Sequence, residues 1–360
     1  MTADAVGGVW QYAIDLSRAL GPLGWNVTLA TLGPAPDRDQ RAAASALPNL
    51  ELHVTDLPLD WLEQGAAPVL RAADGIATLA AAQGCDVVQL NMPTLAAGER
   101  FTVPTVAVTH GCVATWWAGA RGDPLAPQYQ WHARLMRQGL TRADAVVAPS
   151  HSYARMVASH YALDQNPAVV CNGRDAPTAP EHPALQDYVL TVGRLWDRAK
   201  NIDTLDIAAG QLAVPFHAAG ALVGPHGERA AIRHIHPLGQ LSGDALATWR
   251  APRPVFVSAA RFEPFGLSVL EAAQSGCALV LSDIPTFREL WDGVAVFVDA
   301  EDASGFRQAI EGLIGNPARR HAMGEAALDH ARQYRCSAAA RDMDRIFNRL
   351  MADSARRAAA

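Results

Sequence analysis

Two carboxylates with seven residues between them, Glu263 and Glu271, bracket the tripeptide Pro264-Phe265-Gly266. Residues 254–258 form a short apolar run that reads as a buried strand, and Leu267, Val269, Leu270 and Ala273 recur at helical spacing. The tripeptide is therefore a loop between a strand and the start of a helix. Gly266 lets the backbone approach a ligand, and the N–H groups of Phe265, Gly266 and Leu267 point out of the helix N-terminus, where the macrodipole favours an anion. Such a turn can seat a phosphate. A carboxylate next to a phosphate is repelled by it, so Glu263 needs hydroxyl donors, as a sugar would offer. Glu271, more than one turn into the helix, has the reach for a ribose. An acidic helix cap with no ligand is the plainer alternative.

A second constellation precedes it. Gly193-Arg194 ends an expected strand at 188–192, and Lys200-Asn201 opens the next helix. Lys200 is the only lysine among 30 basic residues, so a chain that otherwise uses arginine places a compact ammonium here. At the carboxyl edge of a parallel sheet, Arg194 and Lys200 can converge on one anion. A solvated loop is the competing reading.

Together, Arg261-Phe262-Glu263-Pro264-Phe265-Gly266-Leu267, Glu271, Gly276 and the Gly193-Arg194…Lys200-Asn201 element resemble the signature of retaining GT-B glycosyltransferases, the glycogen-synthase-like (group 1) enzymes of glycosyltransferase family 4. The resemblance implies an α/β protein of GT-B architecture, with two Rossmann-like doubly wound domains facing across a cleft. It implies transfer of a sugar from a nucleoside-diphosphate sugar to a hydroxyl acceptor (a sugar, a lipid-linked group or a small molecule) with retention at the anomeric carbon. In this family the two cations hold the donor diphosphate, a role that falls here to Arg194 and Lys200, with Gly193 beside them. Glu263 would orient the donor sugar, and Phe265, Gly266, Leu267 and Glu271 would bind the rest of the donor. His110, in Thr109-His110-Gly111, matches a family histidine placed against the donor sugar. Gly7 and Gly8 match the Gly-Gly loop facing the diphosphate and acceptor. Asp283, Arg288, Glu289 and Trp291 match a stretch that steadies the loop beside the site. Taken alone, His110 reads as a structural histidine, Gly7-Gly8 as a helix-start turn, and Ser282-Asp283 as a cap. No cofactor is expected, and no histidine cluster points to a metal. An epimerase or sugar phosphorylase on the same fold is the rival enzyme class.

The elements that must position these residues alternate short apolar runs with helical stretches, which implies parallel sheets covered on both faces. The expected division is 1–173 as an N-terminal acceptor domain, 174–187 as a linker carrying Pro177, Pro180 and Pro183, 188–335 as a donor domain, and 336–360 as a helix returning to the first domain. Residues 33–49 read as a variable loop, and the alanine-rich tail after Met351 as frayed. Only Met1-Thr2-Ala3 precede the first loop, so the first strand of the doubly wound domain reads as missing or truncated. That shortness suggests a start at an internal methionine, and it leaves an inactive donor-binding remnant as a third reading. Trp116, Trp117, Trp131, Arg121, Arg134 and Arg137 suit either a sugar and an anionic headgroup or a partly buried helical excursion. A net charge of -6 gives no nucleic-acid footprint, and the five scattered cysteines read as reduced core residues. With no apolar run of membrane-spanning length, the expected location is cytoplasmic, with peripheral contact to the inner face of a membrane left open.

Overall fold

The computed structural model describes residues 1–98, 101–175 and 184–359, so the three linker prolines lie outside the described residues. The chain divides into two compact units, Met1–Gly173 with Arg335–Ala360, and Arg174–Tyr334.

In the first unit the strands are β1 (Thr2–Asp4), β2 (Val27–Leu32), β3 (Leu50–Val54), β4 (Val88–Leu90), β5 (Thr105–Val108), β6 (Ala145–Ala148) and β7 (Ala168–Val169). β1, β2 and β3 form one parallel ladder and β4 to β7 another. The expected gap at the start is filled: β1 pairs with β2 over all three of its residues, Thr2 opposite Ala30 and Asp4 opposite Leu32. On its other side a side chain replaces the ladder. Asn91, just past β4, gives its Nδ2 to the Thr2 carbonyl at 2.7 Å and its backbone N–H to Thr2 Oγ1 at 3.0 Å. The short strand is thereby hydrogen-bonded on both edges.

The helix Gly8–Leu20 follows β1 and buries Trp10, Ala13, Ile14, Leu16 and Leu20. The final helix, Cys336–Ala359, covers it with Ala340, Met343, Ile346, Phe347 and Leu350 in the same core. Each of these large apolar side chains contributes roughly 1.5–3 kcal/mol by leaving water. Trp25 pins the packing, its Nε1 donating to Asp344 at 2.8 Å while its ring meets Phe347 edge-on. The tail expected to fray after Met351 instead continues this helix. Within residues 33–49 lies a helix, Arg38–Ser45, closed by a capping box in which Asp37 and Gln40 exchange bonds.

The second unit holds β8 (Val189–Val192), β9 (Phe216–Ala219), β10 (His236–Gly239), β11 (Val255–Ser258), β12 (Ala278–Ser282) and β13 (Ala295–Val298). All pairs are parallel, in the spatial order β10-β9-β8-β11-β12-β13. Counted within the unit this is 3-2-1-4-5-6, the doubly wound arrangement, whose order reverses between β8 and β11. Ligands of such sheets sit outside the carboxyl ends of the strands at that reversal. Gly220, just past β9, fixes the backbone there: its φ is +139°, and a Cβ on it would lie 1.7 Å from the Gly193 carbonyl oxygen. Gly220→Ala should therefore push Gly193 out of place and lower stability by about 1–3 kcal/mol, measured by urea denaturation.

Candidate functional site

The two loops at the reversal point carry the residues singled out from the sequence. After β8 the chain turns through Gly193 and Arg194 into a one-turn 3-10 segment, Arg198–Lys200. Asp197, buried, organises this turn. One of its oxygens accepts the Ala199 N–H at 2.9 Å, and the other accepts from the Arg194 guanidinium at 2.7 Å. Arg194 is thereby held by one edge while half of its side chain, 51%, faces solvent.

Lys200 does not point at Arg194's partner. Its aliphatic stem runs about 3.5 Å from the position a Cβ would take on Gly193, and its ammonium donates to Glu263 Oε2 at 2.5 Å. Asn201 anchors the turn from the other side. It takes a left-handed conformation, φ 54°, and its Nδ2 spans the carbonyls of Ala259, after β11, and Ala300, after β13. A further bond, Arg261 N–H to the Ala199 carbonyl at 2.8 Å, ties the Lys200 turn to the Glu263 loop.

Glu263 sits in the loop after β11, and Gly266 caps the helix Leu267–Gln274 with φ 94° and ψ 65°. A Cβ at Gly266 would meet the Phe287 ring at 3.1 Å and Glu263 Cγ at 3.4 Å, so glycine keeps the helix tip close to the glutamate. Phe265 is buried, edge-on to Tyr334. The first N–H groups of the helix have no carbonyl one turn back to serve. Gly193, Lys200, Glu263, Phe265, Gly266 and Leu267 thus gather at one place, with Arg194 on the adjoining turn.

Glu271 is held separately. Arg174 meets its Oε1 at 2.7 Å and Arg250 its Oε2 at 2.6 Å, on the same helix but away from the Lys200–Glu263 pair. Neither arginine was singled out in the sequence, where nothing relates residues 174, 250 and 271. Beyond this cluster, Ser282 does not cap a helix. Its hydroxyl donates to the Ala260 carbonyl at 2.5 Å and so steadies the start of the Glu263 loop, while Asp283 forms a two-pronged pair with Arg288.

His110, Gly7 and Gly8 belong to the first unit. His110 follows β5, with Nε2 3.1 Å from Asn91 Oδ1 and its ring edge-on to Tyr12 at 4.4 Å. Gln89 completes the network, donating to both Asn91 Oδ1 and the Tyr12 hydroxyl. Burial pushes the imidazole down to about 4, so His110 is neutral near pH 7. Gly7 and Gly8 form the start of the helix Gly8–Leu20, and Asp4 Oδ1 accepts the N–H groups of Val6 and Gly7 at 2.9 and 3.2 Å. Nothing lies within 4 Å of a Cβ built on Gly7, so that face of the loop is open. The tryptophans divide: Trp117 is buried under the Arg121 guanidinium, 4.2 Å from its ring, and Trp131 packs on the core beside β4. Arg134 and Arg137 are exposed. Among the described residues, no group of three or more His, Cys, Asp or Glu could hold a metal ion, and no helix is long and apolar enough to cross a membrane.

Comparison with known proteins agrees with this geometry. Residues 6–177 match the family model described as Glycosyltransferase Family 4, and residues 186–316 that described as Glycosyl transferases group 1. A D-inositol 3-phosphate glycosyltransferase of Corynebacterium aurimucosum is 24% identical over 384 residues, covering 95% of this chain and 90% of that protein. A phosphatidyl-myo-inositol mannosyltransferase of Mycolicibacterium smegmatis is 26% identical over 203 residues, about half of either chain (52% and 53%). Among solved structures, a sucrose-phosphate synthase from Thermosynechococcus elongatus superposes with a TM-score of 0.80 at 18% identity, covering 98% of this chain and 96% of that one. Anabaena HepE in complex with UDP-glucose superposes with a TM-score of 0.71, also at 18% identity, over 97% and 100% of the two chains. These likenesses place both units in the GT-B fold class. With both family models matched in succession along most of its length, the chain belongs to the group 1 glycosyltransferases of family 4, and its activity is glycosyl transfer.

Proposed function

We propose that the enzyme moves a sugar from a nucleoside-diphosphate sugar to a hydroxyl acceptor with retention of anomeric configuration. The observation that carries this reading is the gathering of Lys200, Glu263 and the Gly266 helix tip outside the carboxyl ends of β8 and β11. Three N–H donors sit on the Lys200 ammonium; one goes to Glu263, and the other two suit phosphate oxygens. Arg194, steadied by Asp197, adds a second cation, and the helix N–H groups at Phe265, Gly266 and Leu267 add a third source of positive potential. These groups are fixed before any ligand arrives, so they stabilise charge on the departing diphosphate without having to reorganise. Lys200 also neutralises Glu263, which lets that carboxylate accept sugar hydroxyls next to a diphosphate. Glu271 takes the ribose.

His110, being neutral, acts as an uncharged hydrogen-bonding partner for the donor sugar rather than as a proton-delivering acid. The Gly7-Gly8 loop, organised by Asp4, serves the diphosphate and acceptor from the first unit. In this reading the leaving phosphate oxygen accepts the acceptor's proton, and the reaction uses no cofactor. Support for the substrates comes from relatives: their names specify inositol phosphate, phosphatidyl-myo-inositol and GDP-mannose, and one structural neighbour binds UDP-glucose. That set supports a polyol, sugar or lipid-linked acceptor, and a lipid-linked one would bring the enzyme to a membrane surface.

Incubation with UDP- and GDP-sugars and candidate acceptors, read by NMR of the new glycosidic linkage, tests the reaction. An inverted product, epimerised donor, or turnover that requires inorganic phosphate would replace the proposal with the rival class. Lys200→Ala should lower kcat/KM by about 100- to 1,000-fold while leaving the thermal melt near that of the wild type. Near-normal turnover would remove the phosphate role.

The pH response of His110 is a separate expectation. Its folded value of about 4 lies below the ordinary 6.5, so protons bind the unfolded chain preferentially between those values. Stability is full above pH 6.5 and falls as the pH drops toward 4. His110→Gln should flatten that slope in urea melts, and no activity limb between pH 5 and 8 should vanish with it.

A further inference from the structure

The geometry points to Arg250 as a positioning residue that fixes the Glu271 carboxylate for a vicinal diol, and so sets the preference of the donor site for a ribonucleotide over its 2′-deoxy counterpart. The inference rests on the proposed role of Glu271 toward ribose.

Arg250 is the last residue of the helix Gly243–Arg250, and its side chain is 3% exposed. A guanidinium so far from water needs a reason to be there, since burying it costs several kcal/mol unless it is paired. Its pair is Glu271 Oε2 at 2.6 Å. Its Nε, also buried, has no partner among the described residues, so packing with Glu271 is kept at the expense of a second bond. The helix end lies against the core, the Arg250 carbonyl being 3.8 Å from the buried Cys277 thiol.

From the other side Arg174 takes Oε1 at 2.7 Å, and Gln274, on the helix that carries Glu271, donates to the Arg174 backbone carbonyl at 2.6 Å. Each carboxylate oxygen therefore accepts one guanidinium N–H and retains one lone pair. Two oxygens about 2.2 Å apart, each with one acceptor site left and both locked in one plane, match two adjacent hydroxyl donors. One hydroxyl would satisfy only one of them. The two guanidinium groups also stop the carboxylate rotating toward solvent, so the ribose meets a preformed acceptor. Lys200 and Glu263 form their own pair, so this clamp acts on the nucleoside half of the donor and not on the departing phosphate.

Equilibrium binding of UDP and 2′-deoxy-UDP, and of GDP and 2′-deoxy-GDP, should be measured for the wild type, Arg250→Met and Glu271→Ala, with kcat and donor KM for the first two. For whichever base binds, Arg250→Met should weaken the ribonucleotide by about 10- to 100-fold, reduce the ribo/deoxy preference to near unity, and raise KM far more than it lowers kcat. Arg250→Lys should restore part of the preference. If Arg250→Met does not fold, Arg250→Lys and Arg174→Met carry the same measurement, each predicting a reduced preference. An unchanged preference in a folded Arg250 variant, with only a lower melting temperature, overturns the inference. Should Glu271→Ala also leave the preference intact, the ribose role of Glu271 fails with it; should Glu271→Ala abolish the preference while the Arg250 variants keep it, only the role of Arg250 fails.

Discussion

An ammonium held 2.5 Å from a carboxylate, over the bare backbone of Gly193, is the interaction around which the second unit is arranged. A partly buried ion pair adds little net stability, because desolvating both charges offsets most of their attraction. Its value lies in position. Lys200 and Glu263 come from loops 63 residues apart in sequence, and each is fixed by backbone that cannot relax. Asn201 holds the lysine turn in a left-handed conformation by bridging Ala259 and Ala300, while Gly266 holds the glutamate loop against Phe287. Gly220, at the end of β9, leaves no room for Gly193 to shift.

The sheet order explains why these parts meet. In a 3-2-1-4-5-6 arrangement the helices after the first and fourth strands leave toward opposite faces, which opens a crevice between the carboxyl ends of β8 and β11. The lysine turn leaves from one strand and the glutamate loop from the other. Charge from side chains and from the helix tip is therefore concentrated outside the carboxyl ends of β8 and β11.

In the first unit a neutral network does comparable work. Asn91 completes the edge of the three-residue β1, positions His110, and shares Gln89 with Tyr12. Every member is uncharged near pH 7, so the strand start, the histidine and the helix that follows the Gly7-Gly8 loop are connected without buried charge.

Much of this was legible in the sequence, for reasons that can be named. Strands such as β11 and β12 announce themselves as apolar runs entered just after Pro254 and Gly276, and helices such as His151–Tyr161 by a Ser150 cap and a 3.6-residue period. The glutamate pair, the Pro-Phe-Gly turn and a solitary lysine are local patterns, and the family to which they point is the one to which the chain belongs. The helix Arg38–Ser45 was also signalled, by Asp37 and Gln40, but its alanines and charges carry no apolar face to draw notice. The continuation of the last helix past Met351 was hidden for the same reason, since residues 352–359 are alanine-rich and polar.

What the linear order cannot carry is partnership between distant charges. Composition and spacing determined that this chain builds parallel sheets, and they singled out Lys200 and Glu263 on the loops beyond strand ends. Only the tertiary structure decided that Lys200 turns to Glu263 while Arg194 turns to Asp197, that Arg174 and Arg250 enclose Glu271, and that three residues suffice for β1 because Asn91 bonds to it. Local patterns follow from backbone periodicity and steric preference, which act over a few residues. Pairing of buried charges follows from which loops the sheet order brings within 3 Å, and that is settled only when the whole chain has packed.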